Sequence, residues 1–132
     1  MDKKLKIVYF LDNFFPQVNG VVTSSINTIN EMAKRGHDVI TFAPYTKPFK
    51  DYPDDYFRHK LVLQKGFEAA FYPDFIFTNP FSIANFKIVK DFKPDIIHFH
   101  APFTMGYQAT RIANILKIPL IGTFHTFFAE PE

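Results

Sequence analysis

Cysteine and tryptophan are both missing from the 132-residue chain, glycine occurs only five times, and no apolar run is long. Without cysteine there is no disulfide framework and no thiolate metal site, which fits a reducing compartment. The scarcity of glycine tells against a dinucleotide-binding loop. The segment Phe14 to Val21 contains one glycine, Gly20, where a Gly-x-Gly-x-x-Gly turn needs three, so nicotinamide or flavin binding is not expected. Nothing approaches the roughly 18 consecutive apolar residues of a spanning helix, so any membrane contact is expected to be peripheral. Charge of either sign is also in short supply. Fifteen Lys and Arg against 13 Asp and Glu leave a formal +2, far below a dedicated nucleic-acid binder but compatible with an anionic ligand or lipid surface. Lys3, Lys4 and Lys6 precede Ile7–Leu11, but that run is too short for a signal peptide and Asp12 interrupts it.

What remains is globular. Hydrophobic residues make up 47% and charged residues 21%, and the length suits one compact α/β domain. Eighteen phenylalanines are read as core filling with a compositional bias and carry no functional weight. Ile7–Leu11 is a continuous apolar run of β-formers, expected for a strand covered on both faces of a parallel sheet. Val22, Ile26, Ile29 and Ala33 recur at helical spacing, and Lys34-Arg35-Gly36 reads as the stop. His37–Ala43 then forms a second strand and completes a βαβ unit. From Pro44 to Tyr72 the pattern weakens, with a short strand expected near His59–Leu63. Pro80–Lys93 reads as a helix with Ile83, Phe86 and Val89 to one side, stopped at Lys93-Pro94. Asp95–His100 is the next strand, Thr104–Lys117 a helix, and Pro119–His125 the last strand.

This alternation predicts a doubly wound, mostly parallel, Rossmann-like sheet, in which ligands sit beyond the C-terminal ends of the strands. Three loops qualify: Asp12–Gly20, His100–Met105 and His125–Phe128. In the first, Asn19-Gly20 opens a helix whose exposed N–H groups favour a diphosphate, or else the pair only makes a turn and caps the helix. His98 and His100 share one face of their strand, with His100 nearer the mouth; His98 reads as a buried, hydrogen-bonded histidine and His100 as the candidate ligand group. His125 ends the last strand on the same rim. A metal site built from His98, His100 and His125, as in a metal-dependent hydrolase, is the weaker alternative, because barrels that use such a pair need roughly 200 residues or more. Lys47, Lys50, Arg58, His59, Lys60 and Lys65 are interleaved with aromatics. They form either a surface for anionic headgroups or a solvated connection that Asp51, Asp54 and Asp55 dilute.

Three motifs stand in order: Phe14-Phe15-Pro16-Gln17-Val18-Asn19-Gly20-Val21-Val22, Pro94-Asp95-Ile96-Ile97-His98-Phe99-His100-Ala101-Pro102-Phe103, and Gly122-Thr123-Phe124-His125-Thr126. Together they resemble the N-terminal half of the family 4 glycosyltransferases, a GT-B group that includes diacylglycerol glucosyltransferases and phosphatidylinositol mannosyltransferases. The resemblance implies a retaining transfer of a sugar from a nucleotide diphosphate sugar to a hydroxyl acceptor, with a lipid as one such acceptor. No cofactor beyond the donor and no metal are implied. By the same resemblance Asn19 and Gly20 approach the donor diphosphate, and His100 lies at the reaction centre. Asp12, Asn13, Phe103, His125 and Thr126 fall on the acceptor side. The family's basic pair and its two glutamates spaced E-x7-E have no counterpart among Glu31, Glu68, Glu130 and Glu132.

Residues 1–132 are therefore expected to be a single acceptor-side domain, incomplete at its C-terminal end and lacking the donor-binding domain. Such a piece should have no useful turnover by itself and could self-associate through newly exposed apolar surface. A cytoplasmic location, at the inner face of a membrane where the acceptor is a lipid, is the matching expectation. The alternative to an enzyme is a flavodoxin-like binding or folding module.

Overall fold

The structure, a computed structural model, describes residues 4–12, 20–46, 60–69, 72–100 and 103–123. Its main sheet contains β1 (Lys6–Phe10), β2 (Asp38–Tyr45), β3 (Lys60–Lys65), β6 (Ile96–Phe99) and β7 (Leu120–Gly122), with β4 (Phe67–Ala69) and β5 (Tyr72–Phe77) forming a separate pair. The helices are α1 (Gly20–Lys34), α2 (Ile83–Phe92) and α3 (Thr104–Leu116). The five-stranded sheet has the order β3-β2-β1-β6-β7, and every pairing in it is parallel. The doubly wound Rossmann-like α/β architecture expected from the alternation of elements is present.

Both faces of the sheet are covered, which is why β1 reads as an unbroken apolar run. Alternation along β1 sends Val8 and Phe10 to one face and Ile7, Tyr9 and Leu11 to the other. The first face packs Val8, Phe10, Ile40, Phe42, Ile97 and Phe99 beneath α2 and α3, through Val89, Met105, Ala109 and Ile112. Phe10 and Phe42 are register partners, and their rings stack at 4.7 Å with 9° between planes. The second face packs Ile7, Tyr9, Leu11, Val39 and Ala43 against Ile26 and Ile29 of α1. Each large side chain of this kind is worth about 1.5–3 kcal/mol when fully buried.

Helix ends follow local chemistry. α1 stops at Gly36, whose φ of 96° only glycine adopts without strain. The His37 N–H donates to the Met32 carbonyl and the Gly36 N–H to the Ala33 carbonyl, which satisfies two orphan acceptors. The Ser82 hydroxyl accepts from the Asn85 N–H at 3.1 Å and caps α2, so that helix begins at Ile83, three residues after the expected start at Pro80. Lys93 ends it in the left-handed region, at the position read as a stop.

Two readings from sequence differ from the structure. The buried stripe of α2 is Asn85 and Val89, while Ile83 is 75% exposed. Asn85 faces inward because its amide donates to both Gln64 and Gln108 at 2.9 Å, and those partners come from β3 and α3. The antiparallel pair β4-β5 was not anticipated, because its members are short and interrupted by Pro73 and Asp74.

Gly66 is the pivot where the chain leaves β3 for this hairpin. Its N–H donates to the Tyr45 carbonyl at 2.8 Å, and a Cβ there would collide with the Phe77 carbonyl and approach Ile76 Cγ2 to 2.7 Å. At Gly36, by contrast, nothing lies within 4 Å of an added Cβ. We expect Gly66→Ala to cost about 1–3 kcal/mol through overpacking and Gly36→Ala about 1 kcal/mol through its φ alone. Urea denaturation of the two variants checks the order, and a Gly66→Ala cost no larger than that of Gly36→Ala would refute it.

Candidate functional site at the C-terminal rim of the sheet

The strand order reverses direction between β1 and β6. β1 leads into α1 on one face, and β6 leads into α3 on the other. In open α/β sheets the crevice outside such a switch point is where ligands bind. Pairing continues one residue past the strands, with the Leu11 N–H donating to the Phe42 carbonyl at 2.9 Å and the His100 N–H to the Phe10 carbonyl at 3.1 Å. Asp12 and His100 are thereby carried side by side to the rim, the first turned to the α3 face and the second to the α1 face.

Asp12 is 1% exposed. One carboxylate oxygen accepts from the Met105 N–H at 2.7 Å, and the other from Phe103 and Gly106 at 3.1 and 3.2 Å. These are N–H groups of the first turn of α3 and its N-cap, which would otherwise be orphaned. Phe103 occupies the N-cap position and supplies no side-chain cap, so the aspartate reaches across 91 residues to do so. Burial pushes the Asp12 carboxyl up to about 7, against the opposing pull of the three N–H groups.

On the other face, register sets Tyr9 opposite His98, and period two brings His100 to the same side. The His98 and His100 rings stack at 4.5 Å with 24° between planes. Tyr9 packs 5.3 Å from His98 and 5.7 Å from His100, and burial pushes its phenol up to about 12, so it stays neutral. His98 Nε2 lies 2.6 Å from Thr123 Oγ1 at the end of β7. His100, 6% exposed, has Nδ1 3.1 Å from Ser25 Oγ of α1, itself 2% exposed. His98 is thus hydrogen-bonded as expected but only half-buried, and His100 is the more deeply buried of the two. Among the described residues no group of three or more His, Cys, Asp or Glu gathers as metal ligands would.

Gly20 is the first residue of α1, and Ser25 follows about one and a half turns later. The Phe103 ring is half-buried and meets Phe77 edge-on at 4.7 Å. Asn13, Asn19, His125 and Thr126 lie outside the described residues, as do Lys47, Lys50, Arg58 and His59 of the basic aromatic stretch. Lys60 and Lys65 are exposed at the two ends of β3. Tyr9, Ser25 and Thr123 were missed in the sequence. Only Ser25 left a signal, as a small polar residue beside the apolar stripe of α1.

A surface groove of about 230 Å³, lined by Phe81, Ile83, Phe86, Arg111, Ile112 and Ile115, lies on the outer side of α2 and α3, across the sheet from His100. Arg111 sits over the Phe81 ring at 4.6 Å and Tyr107 meets that ring edge-on at 6.2 Å.

Residues 18–131 match the family model for Glycosyltransferase Family 4. The chain belongs to that family. This agrees with the resemblance carried by the three motifs. An alpha-monoglucosyldiacylglycerol synthase from Streptococcus pneumoniae is 32% identical over 137 residues, covering 96% of this chain and 28% of the relative. A GDP-mannose-dependent alpha-mannosyltransferase from Mycobacterium tuberculosis is 26% identical over 125 residues, covering 92% and 32%. The chain thus spans about a third of the length of these family 4 relatives. A hydrogenase C-terminal domain from Pyrococcus furiosus shares the fold with a TM-score of 0.59 at 14% identity, over 93% of each chain.

The raised Asp12 pKa has a stability consequence. Below about pH 4 the group is neutral folded and unfolded. Between about 4 and 7 the unfolded chain ionises first, so the fold loses stability as pH rises, and the loss is complete above 7. We expect the stability of the natural chain relative to Asp12→Asn to fall through that window in urea titrations at a series of pH values. A difference that is flat or rises with pH would show that the N–H groups outweigh burial.

Proposed function

We propose that this chain forms the acceptor-side half of a retaining glycosyltransferase, which moves a sugar from a nucleotide diphosphate sugar to a hydroxyl acceptor, with a membrane lipid as the acceptor. One observation carries the reading: His100 is held at the switch point against α1, the helix that begins at Gly20. The N-terminal N–H groups and dipole of α1 favour the negative charge that gathers on a departing diphosphate. His100, about one and a half turns along that helix, positions the sugar by hydrogen bonding to a hydroxyl or phosphate oxygen. Asp12 contributes by holding the start of α3, and with it Phe103, at the acceptor side of the crevice. Asn13, Asn19, His125 and Thr126 belong to the same site in this reading. The alpha linkage in both relatives' names fits retention from an alpha-linked donor.

The absence of an E-x7-E pair leaves most of the donor to a second domain, so this chain by itself binds donor weakly and turns over none. We expect GDP-mannose or UDP-glucose to bind with Kd on the order of 1 mM, about −4 kcal/mol, read from amide shifts that include Gly20. His100→Ala should weaken that binding. Gly20→Asp should weaken it without loss of stability, because a carboxylate at a helix N-terminus favours the helix while repelling the diphosphate. Shifts that do not saturate, or that neither substitution alters, would defeat the proposal.

A lipid acceptor is supported by the outer surface of α2 and α3 together with Phe67. Phe67, Phe81, Ile83 and Tyr107 are exposed large apolar residues, and exposed Lys87 and Lys90 on α2 together with Arg111 add positive charge. Such a mixture suits an anionic headgroup layer at the inner face of a membrane. Among the described residues no helix is long and apolar enough to cross one, and the contact proposed for this surface is a peripheral one. We expect the chain to co-sediment with phosphatidylglycerol vesicles and far less with phosphatidylcholine, and both salt and Ile83→Ser to reduce it. Sedimentation indifferent to lipid charge, salt and Ile83→Ser would remove the membrane from the reading.

A further inference from the structure

We propose that Ser25 is a positioning residue for sugar transfer: its hydroxyl orients the His100 imidazole and ties it to the helix whose N-terminus receives the diphosphate. This rests on the reading of His100 given under the proposed function. Three observations converge on it. The Ser25 Oγ to His100 Nδ1 distance is 3.1 Å. Both residues are buried, at 2% and 6% exposure, so water competes poorly for the bond and its loss is felt. The imidazole is also stacked on the His98 ring and packs beside the tilted Tyr9 ring, which leaves its orientation to be completed by its nitrogen partners.

A hydroxyl that donates to Nδ1 puts the ring proton on Nε2, and one that accepts puts it on Nδ1. Either way, one oxygen on α1 fixes the orientation of the ring through Nδ1, whichever tautomer is present. Because Gly20 and Ser25 belong to one continuous helix, the two are rigidly spaced. A shift of α1 on diphosphate binding moves the Ser25 hydroxyl with it, and so couples the donor's phosphate end to the group that contacts its sugar. His98 is the backing of this arrangement, anchored in turn by Thr123 at 2.6 Å.

Ser25→Ala is the decisive variant. Alanine is the better helix former, so the fold is expected to survive. Ring 15N shifts of His100, assigned by comparison with His100→Gln, report the tautomer and the Nδ1 hydrogen bond directly, and donor binding separates a role at the site from a purely structural bond. GDP-mannose and UDP-glucose titrations followed by amide shifts report the consequence. We expect Ser25→Ala to change the His100 Nδ1 and Nε2 shifts and to weaken binding about three- to tenfold, the size of one net hydrogen bond. Ser25→Thr, which retains the hydroxyl, should restore the ring shifts. Unchanged His100 ring shifts in Ser25→Ala would overturn the proposal. If His100→Ala weakens binding while Ser25→Ala does not, the role of Ser25 alone falls. If His100→Ala has no effect on binding, the sugar site itself falls and the role of Ser25 goes with it.

Discussion

The architecture of the rim depends on a single carboxylate. Asp12, one residue beyond the last pairing of β1, accepts three backbone N–H bonds from the start of α3. Without it α3 would begin with orphaned donors beneath a covered surface, since its N-cap Phe103 has nothing to offer them. Desolvating a carboxyl costs free energy, and the raised pKa is the mark of that cost. Three N–H bonds and the favourable end of a helix dipole offset part of it. The result is a fixed distance between the end of β1 and the start of α3.

The two walls of the crevice follow from this. A strand order that reverses at β1 and β6 sends α1 and α3 to opposite faces, so the space above the junction is bounded by two helix N-termini. Asp12 fastens the wall on the α3 side. On the α1 side the contact between Ser25 and His100 does the same through the residue that follows β6. Both devices are buried, both join residues distant in sequence, and both sit within one residue of the end of strand pairing. The N–H groups at the start of α3 are already taken up by Asp12, so a helix end that favours an anionic group is to be sought at α1.

Much of the fold was legible in the amino-acid order. Ile7–Leu11, the helical spacing of Ile26 and Ile29, the Gly36 stop and the run Ile96–Phe99 all carry strong local signals, because covered parallel strands and amphipathic helices need those patterns. The hairpin β4-β5 was not legible, since short strands carrying Pro73 are stabilised by what they rest on. The inward face of α2 was misjudged for a related reason. Hydrophobicity alone favours Ile83 over Asn85, but Asn85 meets the amides of Gln64 and Gln108, and satisfied polar groups are buried at little cost.

The candidate site divides in the same way. Sequence by itself determined the family, the parallel sheet and the placing of His100 at a strand end, because each rests on residue type and local period. Only the tertiary structure decided which partners His100 and Asp12 would have. Ser25 stands 75 residues from His100, and Asp12 stands 91 to 94 from the N–H groups it accepts. Hydrogen bonds of that span are set by strand order and helix packing, and no local periodicity encodes them.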